Sequence, residues 1–348
     1  MNTLIISLLV IGLLGSAVYF WIRPRRKPQS QALYTDALSA IIRGQADQAI
    51  DLLRSVVRND SSHVEAYMHL GDLLREQNQV NKALKIHQSL TVRPDLPGEF
   101  LLEIHKSLVL DYERLMDYPR ANREAEHILK INRKNLWANE KLLKFAQLNN
   151  DWEQAMQFAK TGQRLKKQVD VTELATIKLL ESRYLLERDQ QREAIACLNK
   201  AIKIAPDFGM PLFEMGEFYY RQGDLNNAVS YWERFALCRP RQGVKVYPKI
   251  ETTLFELGRF SEAEHFYRRV LEKDSSILDA MVRLANVLVD KGESRAAINL
   301  VEETLNKSAG SIPANLMKLK LSLNSQNPHE LARKIDKILD LLSSDSNQ

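Results

Sequence analysis

Apolar residues recur along most of this 348-residue chain with the spacing of an amphipathic α-helix. Polar turns interrupt these stripes, which predicts a long succession of short helices. An alanine also returns at a regular place in the pattern, at intervals of 34 to 39 residues: Ala49, Ala83, Ala121, Ala155, Ala194, Ala228, Ala263 and Ala297. The chain is therefore predicted to be a repeat array and not a set of unrelated domains.

A 34-residue period is that of the tetratricopeptide repeat, in which two antiparallel helices, A and B, form each unit. The recurring alanine is predicted to lie where helix B crosses helix A, because a larger side chain there would push the helices apart. Twelve residues before the alanine, helix A carries a small residue in four repeats: Ala37, Gly71, Gly216 and Ala285. Repeats three, four and five depart from this pattern, with Val109, Leu143 and Ser182. Glycines five residues before the alanine are predicted to end helix A in the left-handed conformation: Gly44, Gly223, Gly258 and Gly292.

These patterns predict about eight repeats over residues 31–308, forming an α-solenoid. Two longer intervals imply insertions near Asp95–Gly98 and Lys166–Val171, which are expected to fall in loops. Residues 309–348 are predicted to form capping helices, at Ala314–Leu323 and His329–Leu342, and a polar tail.

The amino terminus carries a different pattern. Leu4 to Ile22 contains no charged residue, and its 19 residues are long enough to cross a bilayer as a helix. The predicted fold class is thus all-α, with a single transmembrane helix in residues 1–22, a basic juxtamembrane linker in 23–30 and the solenoid after it. Gly12 and Ser16 share one face of that helix and are a candidate contact with another transmembrane helix.

The charge of the chain is concentrated beside this segment. Of a net charge of +5, four charges come from Arg23, Arg25, Arg26 and Lys27 within the first 28 residues, which hold no acid. This cluster is predicted to face the cytoplasm and to contact lipid headgroups. A cleaved signal peptide is the alternative, and it would put the array outside the membrane. The remaining residues carry 45 basic and 44 acidic groups, so nucleic acid is not an expected partner.

Motifs of catalysis and cofactor binding are absent from the sequence. There is no GxGxxG, GxxxxGK[ST] or GxSxG, and the seven histidines and two cysteines form no HExxH, HxxxH or CxxC. No catalytic residue, metal site or cofactor is therefore predicted, and the chain is not expected to be an enzyme.

Stacked helix pairs of this kind present a concave surface lined by helix A, which binds peptide or protein segments. Protein partners are therefore expected, at helix A positions that face away from helix B. The alternative for each of these residues is an ordinary solvated surface. The candidate residues are Asp72, Arg75, Lys106, Trp137, Glu140, Lys144, Arg183, Phe213, Glu217 and Tyr220.

Several stretches resemble the lipopolysaccharide assembly protein B family of Gram-negative bacteria. They are Val64-Glu65-Ala66, Leu70-Gly71-Asp72-Leu73, Lys85-Ile86-His87-Gln88-Ser89-Leu90, Asp151-Trp152-x-x-Ala155 and the Arg23–Lys27 cluster. The resemblance implies a single-pass inner-membrane scaffold whose repeats face the cytoplasm. The partners it implies are enzymes of lipopolysaccharide synthesis and a membrane-bound AAA protease.

That family also ends in a rubredoxin-like zinc module with two CxxC pairs, which this sequence lacks. The resemblance therefore carries over the scaffold role and puts the family's role in degrading the lipid A deacetylase in doubt. The alternative function is that of a repeat protein on the export side of the membrane, assisting outer-membrane or secretion-complex assembly.

Overall fold

A computed structural model describes residues 27–94, 96–307 and 309–322, together with residues 333, 335, 336 and 338. These residues form eighteen α-helices and one 3₁₀ turn, Val244–Val246, and no strand. The helices are α1 Lys27–Ile42, α2 Ala46–Asn59, α3 Val64–Glu76, α4 Val80–Thr91, α5 Gly98–Arg114, α6 Tyr118–Ile131, α7 Leu136–Leu148, α8 Trp152–Lys166, α9 Val171–Glu187, α10 Gln191–Ile204, α11 Met210–Arg221, α12 Leu225–Cys238, α13 Pro240–Gly243, α14 Tyr247–Glu256, α15 Phe260–Lys273, α16 Leu278–Asp290, α17 Ser294–Lys307 and α18 Ile312–Ser322.

The helices pair as the alanine period predicts, and the prediction of an all-α repeat array is confirmed. The chain divides into two units, the first ending at Gln168 and the second beginning at Val169. In the first unit α1 to α8 form four A–B pairs, and each pair packs on the next. In the second unit the helices from α9 to α17, apart from the four-residue α13, form four further pairs, and α18 packs against α16 and α17 at the end.

The predicted fold class is wrong in including a transmembrane helix. Among the described residues no helix is both long enough and apolar enough to cross a membrane. The longest helices, α5 and α9, have 17 residues each and carry charged side chains along their length. The segment Leu4–Ile22, for which the helix was predicted, lies outside the described residues.

Other predictions also fall outside the described part of the chain. They are the helix contact at Gly12 and Ser16, the cluster at Arg23, Arg25 and Arg26, and most of the second capping helix, His329–Leu342. Lys27 is the first residue of α1. The first capping helix corresponds to α18.

A residue with positive φ closes helix A in every one of the eight pairs. The four predicted glycines have φ between 70° and 81°. The other four pairs use Asn78, Met116, Asn150 and Asp189, with φ between 57° and 59°. All eight residues stand five positions before the recurring alanine, and all eight alanines are fully buried. The left-handed turn is thus a constant of the repeat, whether or not glycine supplies it.

At the crossing of helices A and B in repeats two, three and six, a small residue on one helix faces a larger residue on the other. Gly71 faces the buried ring of His87, which stands four residues after the recurring alanine, and Gly216 faces Trp232 in the same way. In repeat three helix A has the larger residue and helix B has alanine: Val109 stands against Ala125 in this register, and both are fully buried. Repeat three therefore follows the same packing rule with the sizes exchanged. Repeat seven departs from the pattern, because the fully buried Tyr267 donates a hydrogen bond to Glu251 at the same two positions.

Both insertions lengthen helix A, and only the first also lengthens a loop, as predicted: residues 92–97 connect Thr91 to Gly98. Helices α5 and α9 have 17 residues, whereas α3 and α7 have 13. The connection from Lys166 to Val171 is no longer than the one from Asn59 to Val64. An extra turn of helix satisfies its own backbone hydrogen bonds, so the added residues extend the helix and leave the pair intact.

Candidate protein-interaction surface

The ten predicted groove residues are divided between the two units. The first unit carries Asp72, Arg75, Lys106, Trp137, Glu140 and Lys144, on α3, α5 and α7. The second unit carries Arg183, Phe213, Glu217 and Tyr220, on α9 and α11. All of these helices are helices A, so each unit presents its own helix A surface.

In the first unit, Asp72 and Arg75 belong to a buried polar network. Arg75 bonds Asp72 at 2.7 Å and Asp111 at 3.1 Å, and its side chain is only 15% exposed. Asp111 is fully buried and lies 2.5 Å from Nδ1 of the equally buried His87. The hydroxyl of Ser107 donates to Asp72 at 3.1 Å. Buried ionisable groups are tolerated when paired in this way, so the network fixes α3, α4 and α5 against one another.

Asp111 was not among the predicted site residues. It lies 36 residues from Arg75 and 24 from His87, so no local motif connects the three. His87 occupies the position that Trp232 holds in repeat six, opposite a helix A glycine. A polar ring at a position otherwise filled by apolar side chains requires a polar partner, and that requirement is the signal that could have led to Asp111.

Lys144 is joined to the preceding helix A. It donates to Glu113 on α5, which also accepts a hydrogen bond from Lys141. Burial on its own would raise the pKa of Glu113, but the hydrogen bonds from the two lysines outweigh burial and hold the pKa below its ordinary value. Lys144 is thus a partner of Glu113 and not an isolated cation.

Each of the three remaining first-unit residues contacts a side chain of its own repeat. Lys106 pairs with Glu103 at 2.7 Å, and Glu140 pairs with Lys166 at 2.8 Å. Trp137 is half-buried against the core of the unit, and the ammonium of Lys141 lies 5.5 Å from its ring centroid. The tryptophan therefore serves packing as well as the surface.

The second unit has a chain of ion pairs between successive helices A. Arg183 on α9 bonds Glu214 on α11 at 2.6 Å, and Glu217 on α11 bonds Lys249 on α14 at 2.6 Å. The guanidinium of Arg283 on α16 similarly bonds Glu251 on α14 at 2.6 Å. Partly exposed pairs of this kind add little stability, but they fix the position of each side chain.

Phe213 and Tyr220 form part of an aromatic cluster in the second unit. The Phe213 ring lies 5.5 Å from Phe235, and Tyr220 lies 5.3 Å from Trp232 while remaining 42% exposed. The ammonium of the exposed Lys245 is 3.9 Å from the Phe213 ring centroid, which is a cation–π contact. Aromatic side chains held in this way lose little entropy when a partner covers them.

The first unit also contains a cleft of about 820 Å³ that the sequence did not predict. Two of the predicted groove residues, Arg75 and Lys144, line it. The other lining residues are Glu76, Leu110, Glu113, Arg114, Met116 and Tyr118. We call this space the repeat 2–4 cleft, because its walls come from the ends of α3, α5 and α7 and the start of α6.

The part of the chain that the structure describes holds no group of three histidine, cysteine or acidic residues placed to bind a metal ion. Cys197 and Cys238 are free thiols. Burial, followed by the charge of Glu181, raises the pKa of the Cys197 thiol to about 11, so it is a poor nucleophile at neutral pH.

Comparison with known proteins agrees with the repeat architecture. Models of the tetratricopeptide repeat match residues 34–93, 177–208 and 252–312. Lipopolysaccharide assembly protein B of Escherichia coli K12 is 25% identical over 302 residues, which cover 84% of this chain and 77% of the relative. The protein of the same name from Haemophilus influenzae is 24% identical over 339 residues, covering 91% and 84%.

Solved structures with similar arrays include a tetratricopeptide repeat protein from Parabacteroides merdae. It is 12% identical, has a TM-score of 0.37, and is matched over 89% of this chain and 98% of its own. The resemblance drawn from the sequence stretches is confirmed by the two curated relatives.

Proposed function

We propose that this chain is a non-enzymatic scaffold in lipopolysaccharide assembly. The premise is that it is a tetratricopeptide-repeat protein related to lipopolysaccharide assembly protein B. The scaffold role follows from the repeat class, whose stacked helices bind protein segments. The pathway follows from the relatives, which share most of the length of this chain.

The observation that carries the proposal is the pair of helix A surfaces. On each one, charged and aromatic side chains are held in place by neighbouring repeats, as with Glu113 against Lys144 and Phe213 against Lys245. Fixed side chains reduce the entropy that binding would otherwise cost. The surfaces are therefore suited to recognise a partner through local pattern, since the net charge of the array is close to zero.

The partners we propose are proteins of lipopolysaccharide synthesis and a membrane-bound AAA protease, as the resemblance implies. A photo-crosslinking residue placed at Tyr220 in the second unit should trap a protein of this class in living cells. The matched control carries the same residue at Lys160, an exposed position on helix B of the first unit. Identical products at the two sites, or none at Tyr220, would contradict a helix A surface as the binding face.

Side-chain substitutions give a second test. Lys144→Gln and Tyr220→Ala should each reduce co-purification of the crosslinked partner, while Lys160→Gln leaves it unchanged. Charge reversal at Lys144 is a poorer choice, because it would set a second carboxylate beside Glu113. The variant Ala155→Leu disrupts a fully buried helix crossing and reports how far loss of the fold alone reduces capture.

We further propose that the scaffold acts on the cytoplasmic side of the inner membrane, which the resemblance implies. The alternative is an export-side repeat protein that assists assembly of an outer-membrane or secretion complex. Alkaline phosphatase fused after Gln348 distinguishes the two, because the enzyme is active only in the periplasm. An inactive fusion that sediments with inner membranes supports the first proposal, and an active fusion supports the alternative.

A further inference from the structure

The repeat 2–4 cleft contains a residue that is unfavourable for the fold. Seven of the eight left-handed residues that close helix A are Gly, Asn or Asp, which tolerate positive φ. The eighth is Met116, with φ 57°. A left-handed conformation costs an ordinary side chain more than it costs glycine or asparagine. The side chain of Met116 is also 76% exposed, so burial in the fold does not offset that cost.

The side chain of Met116 lies beside other apolar groups. It lies at the rim of the repeat 2–4 cleft with Leu110 and Tyr118, and these three supply its apolar and aromatic surface. Methionine is flexible and polarisable, and such side chains adapt well to an apolar group on a partner. A backbone cost borne at an exposed apolar residue is typical of binding sites.

The cleft also contains an available cation. Arg75 is held by Asp72 and Asp111, and Lys144 is held by Glu113. Arg114 is exposed, and within the described residues it forms no ion pair. A guanidinium can bind a carboxylate through two parallel hydrogen bonds. The apolar rim and the unpaired guanidinium adjoin each other in sequence and share one cleft.

We propose that the repeat 2–4 cleft binds a segment of a partner protein in which an apolar side chain stands next to a carboxylate. The apolar side chain packs on Met116, Leu110 and Tyr118, and the carboxylate pairs with Arg114. This inference rests on the proposed scaffold function and specifies the chemistry of one of its binding surfaces.

A displayed library of random 12-residue peptides, selected on the purified full chain, tests the proposal. Peptides that pair an acidic residue with a neighbouring large apolar residue should be enriched. In fluorescence anisotropy with an enriched peptide, Arg114→Glu should weaken binding at least tenfold, and Met116→Gly about threefold to tenfold. Matched controls are Arg133→Glu, an exposed arginine outside the cleft, and Asn150→Gly, the same turn position in the next repeat.

Met116→Gly separates a binding role from a structural one. Glycine relieves the left-handed backbone, so the variant should raise the melting temperature of the chain while it weakens peptide binding. A residue that served only the fold could not produce that combination. Enriched peptides without a carboxylate, binding unaffected by Arg114→Glu and Met116→Gly, or a library without enrichment would each overturn the proposal. Crosslinking at Tyr220 is in the other unit, so its success or failure tests the scaffold function separately.

Discussion

The reciprocal sizes at the helix crossing lead to a quantitative prediction for Gly216 and Trp232. A methyl group added at Gly216 would lie 2.5 Å from Nε1 of Trp232, about 0.9 Å closer than ordinary van der Waals contact begins. Trp232 is fully buried and cannot swing into solvent. Overpacking of this kind costs about 1–3 kcal/mol, and alanine returns about 1 kcal/mol in helix propensity. The balance is a free energy of unfolding lowered by about 0–2 kcal/mol in Gly216→Ala.

The double variant tests whether the ring itself causes the loss. Repeat one uses Ala37 opposite Leu53, both fully buried, so leucine leaves room for a methyl group. Trp232→Leu alone should cost about 2–4 kcal/mol through the cavity it creates. Added to that variant, Gly216→Ala should cost little, so the two changes together should cost at least ~1 kcal/mol less than their sum.

Urea unfolding followed by circular dichroism measures all three variants. Gly98→Ala is the matched control, because no heavy atom lies within 4 Å of the added methyl group, and it should be neutral or slightly stabilising. Additivity within about 0.5 kcal/mol for Gly216→Ala and Trp232→Leu would refute the steric explanation.

Three further predictions follow from single side chains. Asp111→Ala leaves Arg75 without its buried partner and should lower the free energy of unfolding by about 3 kcal/mol in urea titrations, whereas Asp111→Asn, which keeps an acceptor, should cost less. The thiol of Cys197, with a pKa of about 11, should react with N-ethylmaleimide at pH 8 about a hundredfold more slowly in the folded chain than in urea, as measured by mass spectrometry. The pKa of Glu113 is lowered by folding, so its ion pairs add stability above the ordinary pKa near 4.5, and that stability is lost as the pH falls through the folded value. The stability difference between the wild type and Glu113→Gln should therefore be largest at pH 7 and shrink towards pH 3.

The periodic part of the fold was predictable because it depends on residues close in sequence. The recurring alanines and the four turn glycines each act within one helix pair, so a fixed spacing reveals them. The turns at Met116 and Asp189 have the same spacing from the alanine, but neither residue is a glycine, so residue type did not reveal them. Val109 and Ala125 were not recognised as a packed pair, because their fit depends on the sum of two volumes and not on either residue.

The site was less predictable for a related reason. The sequence identified Arg75 and Lys144 as facing away from helix B but not their partners, Asp111 and Glu113, which come from the next or the preceding repeat. The cleft depends on how three helix ends are spaced, and spacing between repeats is not set by the period. Residues that act across repeats therefore had to come from the structure.

In repeats two, three and six the fit of large against small is completed inside one A–B pair, so the whole pair is the unit that can be duplicated, deleted or exchanged. A recombination joint in a loop between pairs preserves every match. A joint in the A–B turn would combine, for example, the Val109 helix with the Trp232 helix and place two large residues at one crossing. Gene duplications and engineered chimaeras of this chain should accordingly be tolerated at turns that follow helix B, except the one after α4, where a joint would separate Arg75 and His87 from Asp111. They should be rejected at the left-handed turns within these pairs.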